Sequence, residues 1–265
     1  MKTIHSRDNP FFKELLKLSA SSRQRRQAGL ALLDGAHLLS ACLDAGQKPQ
    51  HILLNQAAQR DDEISSLLAR AGDVPVTLLD DALFDRLSEL KTATGVIALV
   101  AVLPPVQNRD DYHFALLLED IQDPGNAGSM IRSAAAAGCD AVFLSQGCAD
   151  AWSPKTLRAG MGGHFALDIH ETANLIAVAQ NFGGKVYAAA PNAARSLYDC
   201  DFTGKTAFVI GNEGAGLSAE ILKLCETVSV RMPGKMESLN AAAAAAVCLF
   251  EAVRQRQPPL FAKRE

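Results

Sequence analysis

Short apolar runs separated by helix-like stretches fill the second half of this chain and constrain its fold most. The runs begin at residues 114, 141, 185, 206 and 227 and read FALLLED, AVFLS, KVYAAA, TAFVIG and TVSVRM. Apolar runs of this length that alternate with helical segments are typical of parallel strands buried on both faces. We therefore expect an α/β fold with a mostly parallel sheet, and a functional site at the carboxyl ends of its strands.

The first hundred residues show the same alternation on a smaller scale. Apolar runs begin at residues 51, 76 and 96 between stretches of helical periodicity, which predicts a small α/β unit. The polar, proline-bearing stretch LPPVQNRDD, residues 103–111, predicts a linker. The 265 residues would then form two domains, residues 1–105 and residues 106–265.

Charge is distributed unevenly along the chain. The formal net charge of the whole protein is −3, which argues neither for nor against a nucleic-acid partner. Residues 1–26 instead contain seven Lys and Arg against two acids, a local excess of five positive charges. Such a basic arm suits contacts to phosphate, although a solvated helix face with incidental cations explains it equally well.

The six cysteines are scattered, with no Cys-x-x-Cys pair and no histidine at zinc-binding spacing. We therefore expect mostly buried thiols, no metal, and a reducing compartment. The N-terminus lacks the apolar core of a signal peptide, and every apolar run is far shorter than the roughly 20 residues that span a bilayer. These features favour a cytoplasmic protein without a membrane partner.

The glycine-rich stretch TAFVIGNEGAGLSAE raises the question of a dinucleotide site. A dinucleotide fingerprint needs glycines at the first, third and sixth positions, whereas Gly211, Gly214 and Gly216 stand at the first, fourth and sixth. Glu213 would repel a pyrophosphate, and Arg231 stands where an acid should meet the ribose. The glycine spacing and the missing ribose-binding acid therefore argue against a nicotinamide-dependent oxidoreductase.

Three polar stretches follow predicted strands and contain candidate functional residues. In LEDIQDPGNAGSMIRSAAAAG, Asn126 is expected to cap the next helix. Arg132 lies among small residues suited to tight packing, where a large cation needs a partner, and a structural salt bridge is one explanation. In the glycine-rich stretch, Glu213 is either an inert loop acid or holds a neighbouring loop. In VRMPGKMESLNAAAAAA, Ser238 and Asn240 could simply cap the final helix.

Together these stretches resemble the SpoU branch of the SPOUT superfamily, the TrmH-like RNA ribose 2′-O-methyltransferases. The family's second motif, Gly-x-Glu-x-x-Gly-Leu, reads GNEGAGL here, and the segment WSPKTLRAGMGGHFAL is also similar to the family. Over roughly residues 113–255, the first and third motifs are matched by Asn126, Gly128, Arg132-Ser133-Ala134, Pro233 and Ser238-Leu239-Asn240.

This resemblance implies a trefoil-knotted C-terminal domain with a mostly parallel sheet. A smaller α/β, ribosomal-protein-like RNA-binding domain would precede it, because IHSRDNPFFKELLKL and LLDGAHLL resemble the start of the family's substrate-binding domain. It also implies S-adenosylmethionine as cofactor, RNA as substrate with rRNA favoured over tRNA, and a homodimer. The alternative is a non-catalytic RNA-binding protein that keeps the fold, which the retained motif residues disfavour.

The resemblance also implies roles for individual residues. Arg132 would stabilise the developing alkoxide of the ribose and grip the adjacent phosphate, since a guanidinium stays protonated and makes a poor general base. Four further residues would fix the loops and orient Arg132 and the ribose: Asn126, Glu213, Ser238 and Asn240. The cofactor would be held by Ile210, Gly211, Gly216, Val230, Met232, Leu239 and Asn240. Alanines follow Asn240 where relatives alternate valine and serine, which predicts either a looser contact behind the cofactor or a bulkier neighbouring loop.

Overall fold

The computed structural model describes residues 1–88, 90, 94–106 and 111–257, which form two compact units. The first contains Met1–Leu103 and Asp150–Ala166, and the second contains Pro104–Ala149 and Leu167–Glu265. The predicted domain limit between residues 105 and 106 stays a prediction, and residues 107–110 of the predicted linker lie outside the described ones. Residues 150–166, which the prediction assigned to the second domain, pack with the first unit. No described helix is long and apolar enough to cross a membrane.

The first unit is a five-stranded mixed sheet with helices packed on it. Its strands are β1 (Lys2–Ile4), β2 (Leu30–Asp34), β3 (His51–Leu54), β4 (Val76–Leu79) and β5 (Val96–Ala101). Its first five helices are α1 (Pro10–Ala20), α2 (Ser22–Ala28), α3 (Ala36–Asp44), α4 (Asp62–Ala71) and α5 (Asp81–Leu87). The strand order is β1-β4-β3-β5-β2, in which β5 is antiparallel to both neighbours and the remaining pairs are parallel.

The second unit is a six-stranded sheet in which every pair of neighbours is parallel. Its strands, in the order β11-β9-β10-β6-β7-β8, are β6 (Phe114–Leu118), β7 (Ala141–Leu144), β8 (Asp168–His170), β9 (Lys185–Ala189), β10 (Thr206–Ile210) and β11 (Glu226–Val228). The later helices are α6 (Pro124–Ala136), α7 (Pro154–Gly160, in the first unit), α8 (Leu175–Asn181), α9 (Ala219–Leu224) and α10 (Ala241–Arg256). The predicted α/β fold with a parallel sheet is confirmed.

Both faces of the second sheet are covered, which explains why its strands read as continuous apolar runs. On one face Leu117 and Val209 belong to a cluster that includes residues of α8 and Ile221 of α9. On the other face α10 packs against β10, and the guanidinium of Arg256 lies over the ring of Phe114, 4.0 Å from its centroid. Strands β1, β2 and β8 lie outside the predicted runs, and β1 and β8, at three residues each, are too short to show a periodicity of their own.

Local sequence signals set the beginning and the buried face of α1. The side chain of Asn9 accepts a hydrogen bond from the backbone N–H of Phe12, and Pro10 occupies the first helical position, where no N–H is needed. Phe12, Leu15 and Leu18 recur on one face and are buried in the core of the first unit.

The basic arm of residues 1–26 is not uniformly exposed. Arg25 is buried, and its guanidinium Nε and Nη2 donate to Asp150 Oδ2 at 2.9 and 2.5 Å. Its Nη1 donates to the carbonyl oxygens of Leu18 and Ser19. Arg25 therefore stabilises the first unit and is unavailable to a partner. The exposed cations of the arm are Lys2, Arg7, Lys13, Lys17, Arg23 and Arg26.

Residues 150–166 are anchored to the first unit by α7, which packs against β2. Gly162 has a φ of +89°, and a Cβ added there would lie 2.5 Å from the Cβ of Ala41. Glycine at this position therefore permits both the left-handed conformation and the close approach to α3. Trp152, Leu157 and His164 of this segment are buried.

We expect His164 to make the first unit sensitive to acid. Its imidazole is fully buried, its Nε2 donates to the carbonyl of Ala151 at 2.7 Å, and its Nδ1 has no partner among the described residues. Burial lowers the pKa of His164 from 6.5 to about 4. As pH falls, the imidazole of the unfolded chain is therefore protonated before that of the folded protein. The free energy of unfolding is highest above pH 6.5 and decreases towards pH 4, and the decrease is about 2 kcal/mol at pH 5.

Trp152 provides the measurement, because it is the chain's single tryptophan and its ring centroid lies 5.4 Å from that of His164. Urea unfolding followed by tryptophan fluorescence at pH 7.5 and pH 5 should show this loss in the wild type. The loss should be much smaller in His164→Phe, which cannot titrate. An identical pH dependence in the two proteins would contradict the assignment.

Candidate functional site

The glycine-rich loop after β10 closes on itself. The backbone groups of Asn212 and Gly216 exchange hydrogen bonds of 3.1 and 2.9 Å, and Asn212 Oδ1 accepts from the N–H groups of Gly214 and Ala215. A Cβ on Gly211 would lie 2.5 Å from the carbonyl carbon and oxygen of Gly216. The glycine at 211 is thus needed for a tight internal turn, which accounts for its spacing without a pyrophosphate.

The start of α6 corrects one expectation from the sequence. Asp123 caps the helix, since its Oδ1 accepts from the N–H of Asn126 at 2.7 Å, and Pro124 occupies the first position. The prediction that Asn126 caps this helix was wrong because Asp123 already supplies the acceptor. The side chain of Asn126 is therefore available to another loop.

The amide of Asn126 joins the three motif stretches. Its Nδ2 donates to Glu213 Oε1 at 2.7 Å, and its Oδ1 accepts from Asn240 Nδ2 at 3.1 Å. The Oδ1 of Asn240 meanwhile accepts from the N–H groups of Ala242 and Ala243, so Asn240 also caps α10 as predicted. Glu213 is therefore not an inert loop acid, because it holds α6 through this amide.

Two further links bind the loop after β6 to the loop after β10, and the sequence did not indicate either. Ser218 donates its hydroxyl and its N–H to the two carboxylate oxygens of Glu119, at 2.6 and 2.8 Å. Asn212 Nδ2 donates to the carbonyl of Asp120 at 2.8 Å. Asp120 has a φ of +54°, and Ser145 bonds both its N–H and its carboxylate. These links fix the backbone that leads from β6 into α6.

Arg132 and Ser238 lack the partners that a structural role would give them. Arg132 is exposed on α6, and within the described part of the chain it has no hydrogen bond or ion pair. Arg132 therefore forms no structural salt bridge with any described residue. Ser238 is exposed too and has no hydrogen bond among the described residues, and the capping of α10 falls to Asn240.

A pocket of about 430 Å³ lies at the carboxyl ends of β9, β10 and β11. Every residue predicted to hold a cofactor lines it: Ile210, Gly211, Gly216, Val230, Met232, Leu239 and Asn240. Glu213 and Ser238 line it as well, whereas Asn126 and Arg132 do not. The sequence did not indicate the loop after β9, which contributes Ala189, Ala190 and Pro191. Its position after a parallel strand was the available signal.

The pocket lining is acidic. It contains two carboxylates, Glu213 and Glu237, and no Lys, Arg or His among the described residues. Its remaining surface is largely aliphatic, with Ile210, Val230 and Leu239 among the contributors. The pocket therefore suits a ligand that combines an apolar ring with positive charge.

The cysteines and acids elsewhere offer no competing chemistry in the described part of the chain. No three His, Cys, Asp or Glu side chains are grouped to hold a metal ion there. Five of the six cysteines are buried, as predicted, and Cys148 is half-buried. Burial raises the pKa of all six thiols, which makes them poor nucleophiles at neutral pH.

The chain matches two protein families along its length. Residues 113–250 match the SpoU rRNA Methylase family, and residues 9–98 match the MRM3-like substrate binding domain. An uncharacterized tRNA/rRNA methyltransferase from Synechocystis is 32% identical over 96% of this chain and 94% of its own. The 23S rRNA (guanosine(2553)-2′-O)-methyltransferase of Bacillus subtilis is 30% identical over 94% of this chain and 98% of its own.

Solved structures agree with these matches. The SpoU methyltransferase AviRb from Streptomyces viridochromogenes is 30% identical and superposes with a TM-score of 0.81, over 94% of this chain and 98% of its own. Its complex with the cofactor AdoMet gives a TM-score of 0.80 at 29% identity, over 94% of this chain and 99% of that one. By the arrangement of its motif residues and by these similarities, the chain belongs to the SpoU rRNA methylase family.

Proposed function

We propose that this chain methylates the 2′-hydroxyl of a ribose in ribosomal RNA, with S-adenosylmethionine as methyl donor. The chain is an S-adenosylmethionine-dependent RNA ribose methyltransferase, as its family membership establishes. The preference for rRNA over tRNA rests on relatives named as 23S rRNA methyltransferases, in Bacillus subtilis and in Streptomyces viridochromogenes. The structural observation that supports the transfer activity is the Asn126 amide, which bonds both Glu213 and Asn240.

The pocket residues fit this cofactor. The aliphatic side chains of Ile210, Val230 and Leu239 suit an adenine ring, and the absence of a cation from the described lining suits a sulfonium. Gly211 keeps the loop closed beside them. When bound, the cofactor supplies an electrophilic methyl group on a positively charged sulfur.

The protein's own residues would act on the ribose. Because such a methyl donor needs no help for its leaving group, the protein's task would be to orient the ribose hydroxyl. It would also stabilise the charge that develops on the hydroxyl oxygen as its proton passes to solvent water. Arg132 suits this role because its guanidinium is exposed and unpaired among the described residues. Asn126, held by Glu213 and Asn240, would fix α6 and thereby the position of Arg132. Ser238 would contact the ribose or its phosphate.

The proposal extends to the chain's organisation. The fold would contain the family's trefoil knot, residues 106–265 would carry out methyl transfer, and residues 1–105 would select the RNA. The matched substrate binding domain over residues 9–98 supports the last assignment. The protein would act in the cytoplasm, where its free thiols stay reduced.

Methylation of purified rRNA and tRNA with labelled S-adenosylmethionine tests the activity. We expect label in rRNA, mapped to one ribose 2′-oxygen. Mapping of total RNA from a deletion strain against its parent identifies the nucleotide. A methyl group on a base, or on tRNA alone, would overturn the proposal. A protein that binds RNA but shows no calorimetric response to S-adenosylmethionine would be the non-catalytic alternative.

We expect the exposed cations of the basic arm to contribute to RNA affinity. Replacing Arg7, Lys17, Arg23 and Arg26 by Gln should weaken rRNA binding and lower the dependence of log K on log salt by roughly 0.7 to 0.9 for each lost phosphate contact. S-adenosylmethionine affinity, measured by calorimetry, should not change.

A matched control removes the same number of exposed cations elsewhere, at Arg60, Arg86, Lys185 and Lys223. This variant should retain the affinity and salt slope of the wild type. Equal losses in the two variants would show that overall charge matters and that the arm is no specific RNA contact.

We also propose a homodimer that uses α6 and α10. These helices pack together within the chain, and α10 leaves Phe250 47% exposed. A large apolar ring on an outer helix face fits a subunit interface.

Light scattering at micromolar concentration should give twice the 28.2 kDa of one chain. Phe250→Glu should give a monomer, whereas Tyr198→Glu, at a 53% exposed ring elsewhere, should not. A monomeric, fully active wild type would refute the dimer.

A further inference from the structure

One carboxylate of the cofactor pocket takes no part in the hydrogen bonds between the motif loops. Of the two acids in the lining, Glu213 accepts the hydrogen bond of Asn126. Glu237 is exposed at the pocket and has no hydrogen bond or ion pair among the described residues. Its charge is therefore available to a ligand.

The cations that neighbour Glu237 in the sequence lie outside the pocket lining. Arg231 and Lys235 belong to the same loop, but neither lines the pocket. Within the described lining the fixed charges are the carboxylates of Glu213 and Glu237. The charged side chains nearest to a ligand in this pocket are thus carboxylates.

The donor and the product of the reaction differ in net charge. S-adenosylmethionine carries a sulfonium, an ammonium and a carboxylate and is a cation, whereas S-adenosylhomocysteine has lost the sulfonium charge and is neutral overall. A fixed negative charge attracts the cation and acts little on the neutral zwitterion.

We propose that Glu237 is a specificity-determining residue that favours the cationic methyl donor over the neutral product. This inference rests on the assignment of the pocket to S-adenosylmethionine, and it does not depend on which RNA is methylated. Glu237 acts on the bound ligand's charge and takes no part in the transfer of the methyl group. Its effect is to let the next donor molecule compete better with the product for the pocket.

The solvent exposure of Glu237 determines how strongly its charge can favour the cationic ligand. Charge pairs that remain in contact with solvent are worth up to about 1 kcal/mol, which corresponds to a preference of about fivefold. Salt screens such a pair, because the Debye length falls from about 10 Å at 0.1 M to about 3 Å at 1 M. The discrimination should therefore be several-fold at low salt and largely absent at high salt.

Calorimetric titration of the full chain without RNA tests the inference. The ligands are S-adenosylmethionine, S-adenosylhomocysteine and sinefungin, in which a carbon bearing an ammonium group replaces the methylsulfonium. We expect Glu237→Gln to weaken binding of the two cationic ligands about three- to fivefold at 0.05 M salt and to leave S-adenosylhomocysteine nearly unchanged. The difference should shrink in 1 M salt.

The matched control is Glu220→Gln, which removes an exposed acid of α9 that does not line the pocket. It should leave all three affinities unchanged, and thermal melts should confirm that both variants are folded. An equal loss for all three ligands, or no loss for any, would overturn the inference. Selective loss in a protein that methylates no rRNA would uphold the inference and refute the proposed substrate.

Discussion

Arg132→Lys should slow methyl transfer by about 10²–10³-fold, the typical cost of one preorganised donor to an oxyanion, and Arg132→Ala should be slower still. Lysine keeps the charge but lacks the planar fork that binds a phosphate and faces an alkoxide at once. Neither change should unfold the protein, because Arg132 is exposed and has no bond to lose among the described residues. Single-turnover methylation of the rRNA target beside a thermal melt measures both effects.

Cofactor affinity separates this role from a general disturbance of the site. Arg132 does not line the pocket, so calorimetry should give near wild-type S-adenosylmethionine affinity for both variants. Lys223→Ala, at another exposed cation of the second unit, is the control and should retain the full rate. A folded Arg132→Ala protein that methylates as fast as the wild type would reduce Arg132 to a surface residue.

Arg25→Met should destabilise the first unit by about 3–5 kcal/mol, the usual cost of removing one partner of a buried ion pair. The side chains of Arg25 and Asp150 are only 6% and 9% exposed, so the lost guanidinium would leave an uncompensated buried carboxylate. The carbonyl oxygens of Leu18 and Ser19 would lose a donor as well. Urea unfolding followed by the fluorescence of Trp152, whose backbone N–H donates to Asp150 Oδ1, measures the loss.

Two further variants show whether charge causes the effect. In Arg25→Met/Asp150→Asn the stranded charge is removed while the acceptor for Trp152 remains, so a large part of the stability should return. Arg26→Met changes the exposed neighbouring arginine and should stay within about 0.5 kcal/mol of the wild type. Equal stability of the Arg25→Met and Arg26→Met proteins would show that the ion pair contributes nothing.

Much of the fold could be predicted because its signals are local. Apolar runs marked β6, β7, β9 and β10, since strands covered on both faces need apolar residues at most positions. Asn240 was expected as a helix cap, and the structure confirms it, because a cap depends on neighbours two or three residues away. The strands β1, β2 and β8 were not predicted; β1 and β8 have only three residues each, and pairing with other strands defines them.

The sequence by itself indicated the family and the parallel sheet, because motif spacing and strand periodicity lie within short stretches of chain. The family resemblance then indicated seven residues of the pocket, but not the loop after β9. Only the tertiary structure decided which of these residues bond. Asn126 looked like a cap but bonds Glu213 and Asn240, 87 and 114 residues away, and Arg25 looked like a phosphate contact but pairs with Asp150, 125 residues away. Local patterns do not encode such pairings, because the topology of the sheet determines which loop ends meet.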